Sequence, residues 1–363
     1  MAVLSYLTDG HRAAFNHLIG FTFLASVSVG GLFFVALEYI AGAVWSTPFR
    51  RLSEFLAGLL PVTLLFGLPL IPQLHTLFHW SHADAVAADP ILQAKAPYLN
   101  ETFFIVRFAV VLGLWSLFAW LFRRNSMKQD ADRDQRHTTT NIKLAAAFIP
   151  LFAVTVSVFS MDWLMSLEPH WFSTIFGIYY FTGTAITALA VVTYAMVSLS
   201  ERGYFFAGVR EDHYYSFGAL LFGLLSFWAY IAFSQFMLIW YANLPEENFW
   251  FIARWQNGWE WVSIALVVLH FWLPYFMLVS RPSKMNTGNL KRSAALLVAV
   301  HFLDLYWLAM PTYSKTPVFG YHELAFPLLA VGIVIAGLAV QMKRYNSVPV
   351  GDPKLQRGID FTL

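Results

Sequence analysis

The residues of this sequence best suited to passing a proton are His301 and Asp304, three positions apart and therefore on one face of a helix. Both fall inside an apolar run. Burial raises a carboxylate pKa and lowers an imidazole pKa, which brings the two toward neutrality, where they can exchange protons. His270 sits midway along the preceding apolar run, four residues before Pro274. A proline cannot donate to the carbonyl four residues earlier, so Pro274 frees the carbonyl of His270 and Pro327 frees that of Glu323. A freed carbonyl can hold water, as a proton wire requires. Asp162, Glu168 and His170 form a second group, read as an outer pathway beside the first. Ionisable groups at membrane depth are costly enough to be treated as functional candidates; the alternative is that each makes a satisfied interhelical hydrogen bond.

Other groups allow other chemistry. His75, His79 and His82 fall at i, i+4 and i+7, but no further ligand accompanies them, and no metal is expected. Arg107 and Arg254 each follow an aromatic phrase, and Glu260 opens a later apolar run. With His75 and His79 these are candidate interface residues, which the resemblance given below would assign to contact with a quinone or a partner subunit. The two arginines could equally be anchors reaching toward headgroups.

The elements that must position these groups are membrane helices. Of 363 residues 58% are hydrophobic and 12% charged, the net charge is +2, and there is no cysteine. The charge is far below that of a soluble domain, and nothing indicates nucleic acid. Without cysteine the chain can hold no thiolate-ligated iron–sulfur cluster, attached c-type haem or disulfide. Nine runs approach the ~20 residues needed to cross a bilayer: Phe15–Tyr39, Leu52–Phe78, Thr102–Phe122, Ile142–Met161, Thr174–Leu199, Tyr214–Trp240, Gly258–Val279, Ser293–Met310 and Leu324–Met342. In lipid such runs must be helices. Residues 123–143, of mixed charge, read as a cytoplasmic linker loop. Lysine and arginine gather at 50–51, 123–143, 202–210, 281–292 and 343–357, against Arg12, Lys95, Arg254 and Lys315 on the other side. That bias places the C-terminus in the cytoplasm and the N-terminus outside.

An internal repeat is also legible. Tyr98-Leu-Asn100, followed by Glu101 to Arg107, parallels Tyr241-Ala-Asn243, followed by Glu247 to Arg254. Phe159-Ser-Met-Asp162 parallels Phe302-Leu-Asp304. A period of four helices preserves orientation. The expected fold is therefore an all-α polytopic membrane protein with two parallel four-helix bundles, residues 52–199 and 214–342, related by duplication.

Three phrases carry a resemblance. Phe-Ser-Gln-Phe-Met-Leu-Ile-Trp-Tyr-Ala-Asn-Leu-Pro-Glu-Glu (233–247), Met-Asp-Trp-Leu-Met-Ser-Leu-Glu-Pro-His-Trp-Phe-Ser-Thr (161–174) and Asp-Leu-Tyr-Trp (304–307) resemble the NrfD/PsrC-like integral membrane subunits, and among them the ActF subunits of bacterial alternative complex III. The resemblance runs over nearly the whole chain. It implies ten helices, so that one more would lie upstream of the nine. It implies a subunit without cofactors of its own inside a quinol:electron-acceptor oxidoreductase, with haem and iron–sulfur clusters in partner subunits and a homologous NrfD/PsrC-like subunit among them. The subunit would supply partner contacts, a proton route and a candidate quinone pocket. A stand-alone secondary transporter and a purely structural anchor are the rival readings; a transporter would place a substrate site at the midplane, between broken helices.

Overall fold

The computed structural model describes residues 1–205 and 208–363, and these contain helices and no strand. Among the described residues nine helices are long and apolar enough to cross a membrane: α1 Gly10–Ala41, α2 Thr47–Leu77, α3 Glu101–Asp132, α4 Arg136–Leu167, α5 Phe176–Glu201, α6 Glu211–Ala242, α7 Trp259–Leu278, α8 Thr287–Tyr313 and α9 Tyr321–Arg344. All nine expected spans are present. Side chains that answer free backbone N–H groups start several of them. Asp9 accepts from the Arg12 N–H at 3.0 Å, Asn100 from Phe103 at 2.9 Å and Asn286 from Asn289 at 2.8 Å. An odd number of spans puts the termini on opposite sides, called here the N-face and the C-face.

Residues 123–143 form no loop. Helix α3 continues to Asp132 and α4 starts at Arg136, and Arg133 turns the chain with φ of 57°. The charged residues there are outer turns of two long helices. Mixed charge marks solvent exposure, and solvent exposure suits a helix as well as a loop.

The packing groups the helices differently from the expected 52–199 and 214–342. Helix α1, left out of both of those bundles, is buried along most of its length and packs against α2, α4, α5, α8 and α9. Helix α9, assigned to the second bundle, packs mainly on α1 and α2. The sets that fit the contacts are α1–α4 and α5–α8. Within them α1 meets α2 and α4 as α5 meets α6 and α8. Helix α2 meets α3 as α6 meets α7, and α3 meets α4 as α7 meets α8. Across the seam α1 meets α5, and α4 touches α5 as α8 touches α1. Advancing each helix by four reproduces the pattern.

The seam is close because its residues are small. In lipid, helices associate by packing rather than by expelling water, and glycine lets backbones approach. A Cβ on Gly30 would lie 2.5 Å from the Ala188 Cβ and 2.9 Å from the Thr184 carbonyl oxygen. Nothing lies within 4 Å of the equivalent point on Gly223 of α6. Gly30→Ala is therefore expected to cost about 1–3 kcal/mol through overpacking, read as a lower unfolding midpoint, and Gly223→Ala to leave that midpoint nearly unchanged. Equal effects at the two sites would contradict the seam.

Candidate functional site

Helix α5 presents two adjacent stripes to its neighbours. Tyr179 and Gly183, four residues apart, face α8. The Tyr179 hydroxyl donates to the Asp304 carboxylate, which is buried. At Gly183 the missing side chain makes room for α8. The point a Cβ would occupy lies 2.9 Å from His301 Cε1, 3.2 Å from His301 Nδ1 and 3.7 Å from Asp304 Oδ2. One glycine thus seats both groups that the three-residue spacing placed on one face.

The second stripe, Tyr180 and Thr184, faces α1. Thr184 donates to Ser26 at 3.3 Å, Ser26 to the Tyr180 hydroxyl at 3.0 Å, and Tyr180 to the Thr22 carbonyl at 2.9 Å. Thr187, three residues beyond Thr184, is wholly buried with no hydrogen bond to its hydroxyl. The hydroxyls and the Asp304–His301 pair share α5 as their support.

Neither ring nitrogen of His301 or His270 has a hydrogen-bond partner, although both rings are buried. Buried polar groups are nearly always satisfied, so two imidazoles without protein partners call for something else, such as water. His270 lies over the Trp228 ring, with centroids 3.9 Å apart. Around it α7 widens into a π-helical stretch, Val267–Trp272, followed at once by Pro274. The lost hydrogen bond expected from this proline coincides with that bulge, and such bulges occur often at functional sites.

The remaining candidates are placed apart from this cluster. Asp162 accepts from Arg107 Nε at 2.8 Å, and Arg107 also donates to the Tyr98 carbonyl and lies over the Tyr98 ring. Asp162 is therefore one half of a buried ion pair at the N-face end of the first bundle. His170 is on the following loop, 2.5 Å from Asp89, whose carboxyl it holds below its usual range. Glu168 is half-buried on the same loop, and no hydrogen bond joins Asp162, Glu168 and His170 to one another. All three, expected to share an outer pathway, lie toward the N-face end of α4 and the loop that follows it. Glu323 is held by Arg12 at 2.6 and 2.8 Å and by Asn16 at 3.0 Å, a paired carboxylate that ties α9 to α1. Glu260 accepts from the Gly258 N–H at 2.8 Å and so closes its own turn.

Arg254 donates to the carbonyls of Trp250, Trp307 and Leu308, with its guanidinium carbon 3.3 Å above the Trp250 ring. Burial pulls its pKa down to about 9, opposed chiefly by Glu168. Both repeat arginines therefore brace the N-face end of the last helix in their set, Arg107 through a carboxylate and Arg254 through backbone. His75 is exposed and lies 3.1 Å from Glu101, His79 is exposed, and His82 donates from Nε2 to the His75 carbonyl at 2.8 Å. Among the described residues no group of acidic or histidine side chains has the arrangement of a metal site.

Sequence reading missed a dense network on the C-face. Arg50 donates to Glu38 at 3.0 Å, Glu54 at 3.3 Å and Asp352 at 2.6 Å, while Arg51 donates to Glu54 at 2.6 Å and Asp130 at 2.5 Å. Both guanidiniums are buried. Beside Glu38, Arg50 and Ser53 a cavity of about 240 Å³ enters between α1, α2, α5 and α6. The signal available was Arg50-Arg51 next to Glu54; Asp352 gives none, because only the fold brings it there. No protein-family model matches the chain, and comparison with curated proteins gives no match.

Proposed function

We propose that this multi-pass membrane protein is the proton-handling integral subunit of a respiratory quinol-oxidising complex, of the NrfD/PsrC-like kind and similar to ActF. The observation that carries the reading is the buried His301–Asp304–Tyr179 cluster set against hydroxyls on the α1–α5 seam. Its unpaired imidazole and its carboxylate, with the unpaired His270 on the neighbouring helix, suit groups that gain and lose a proton. The C-face is cytoplasmic. Protons enter the cavity beside Glu38 and Ser53, pass Thr187, Thr184 and Ser26, and reach His301 and Asp304. Electrons travel elsewhere, through haem and iron–sulfur clusters of partner subunits; the lack of any cysteine supports that division. The matching helix contacts of α1–α4 and α5–α8, with the parallel Arg107 and Arg254 phrases, support an ancestral duplication whose boundary falls between α4 and α5.

The test is made on the intact complex in sealed vesicles. Thr184→Val with Ser26→Ala removes two hydroxyls and changes side-chain volume little. Protons moved per electron should fall at least twofold, with quinol oxidation by the complex near its native rate. An unchanged proton yield would rule out the seam as the route.

A further inference from the structure

The N-face of the first bundle carries a cavity of about 390 Å³. Its walls come from the short helix Pro90–Lys95, the turn that leads from it toward α3, the N-face end of α4 and the loop after α4. Two ties hold these segments together. Lys95 donates to the Pro169 carbonyl at 2.5 Å, and His170 meets Asp89 at 2.5 Å. Met161 and Met165, four residues apart on α4, share one face and form an apolar wall. Their unbranched side chains adapt to an irregular shape. Trp171 and Tyr98 add ring surface, and Phe172 stands 56% exposed at the margin. Tryptophan and tyrosine at the ends of membrane helices mark the level where hydrocarbon meets headgroups.

Among the described residues Lys95 is the one charged side chain of the lining. It is half-buried, no carboxylate pairs with it, and burial pulls its pKa down. An ammonium has three N–H donors, and the Pro169 carbonyl answers one of them. A lysine that served only as an anchor would carry its charge out to water. Here the charge stays in the pocket wall without a counter-ion. One cation beside an apolar hollow at headgroup level suits a molecule with one negative charge and a hydrocarbon tail. No acidic side chain lines the pocket to receive the ammonium of a zwitterionic headgroup, and no second cation is there for a doubly charged one.

We propose that this pocket binds an anionic phospholipid of the N-face leaflet, with Lys95 on its phosphate and one acyl chain along Met161 and Met165. The site shares no residue with the His301–Asp304 cluster or the hydroxyls of the α1–α5 seam, so this reading and the proton route fail separately.

The experiment uses the full chain in phosphatidylcholine nanodiscs, doped in turn with photoreactive phosphatidylglycerol and photoreactive phosphatidylcholine, and maps the labelled peptides. Phosphatidylglycerol should label residues 94–99 and 161–172 about fivefold more than phosphatidylcholine, the ratio that ~1 kcal/mol of attraction to one lysine produces. Lys95→Met keeps the apolar stem and should erase that preference, and Lys95→Arg should retain it. Ala94→Trp, at the exposed rim, should abolish labelling of both segments and leave the unfolding midpoint unchanged. Equal labelling by the two probes, a preference that survives Lys95→Met, or no labelling of these segments would each overturn the proposal. So would cross-linking of these segments to a protein subunit in the intact complex with neither lipid probe reaching them, which would give the pocket to a protein partner.

Discussion

Replacing Arg50 with alanine is expected to destabilise the protein by about 3–5 kcal/mol, the usual consequence of removing one partner from a buried ion cluster. Arg50 is the one cation that touches Glu38 and Asp352, and it shares Glu54 with Arg51. Without it two buried carboxylates lose their counter-charge, and Glu38 keeps only the Ser46 hydroxyl at 3.0 Å. Lysine would keep the charge but could not span three carboxylates with a planar fork. Arg50→Lys should therefore recover part of the loss. The measurement is the unfolding midpoint of the purified chain in detergent or nanodiscs. If Arg50→Ala unfolds within a degree or two of the native protein, the network contributes little and the cavity beside it needs another account.

The second large effect is functional. Asp304→Asn keeps the volume of the side chain and an oxygen to accept from Tyr179, but removes the group that can be protonated. In the intact complex the proton-transfer step should slow by about 10²-fold, the lower range for loss of a positioned acid–base group. On the proposed function, quinol oxidation by the complex should change by less than about threefold, since that reading assigns the electron path to partner subunits. His301→Phe should act in the same direction. A native proton-to-electron ratio in Asp304→Asn would make the aspartate a structural partner of Tyr179 and nothing more.

How much of this was legible in the sequence depends on range. The spans were legible because each is a local hydrophobic run, several with their own caps, and so was the facing of His301 and Asp304, which needs only helical spacing. Burial of His270 near a proline was legible for the same reason. The bundle boundaries were not. Hydropathy makes α1 and α9 look alike, whereas small residues such as Gly30 let α1 lie at the centre and α9 at the margin. Tyr179 was not singled out, because one tyrosine among many acquires its meaning only when α8 places Asp304 against it. Glu323 was read as part of a relay; its partner Arg12 is 311 residues away and no spacing rule joins them.

The C-face network also bears on the order in which the chain can be completed. Asp352 follows Arg50 by 302 residues, and the Gly351 N–H donates to Asp130 at 3.1 Å in a fit so close that a side chain at Gly351 would collide with the Gln129 backbone. Arg50, Arg51 and Glu54 are synthesised early and threaded to the membrane surface while the carboxylate that completes their set does not yet exist. Until residues 350–352 arrive, Arg50 lacks the Asp352 carboxylate and Asp130 lacks the Gly351 N–H. The segment 350–352 thus fastens the C-face ends of α2 and α3 from the far end of the chain, and these contacts can form only once nearly the whole sequence has been made.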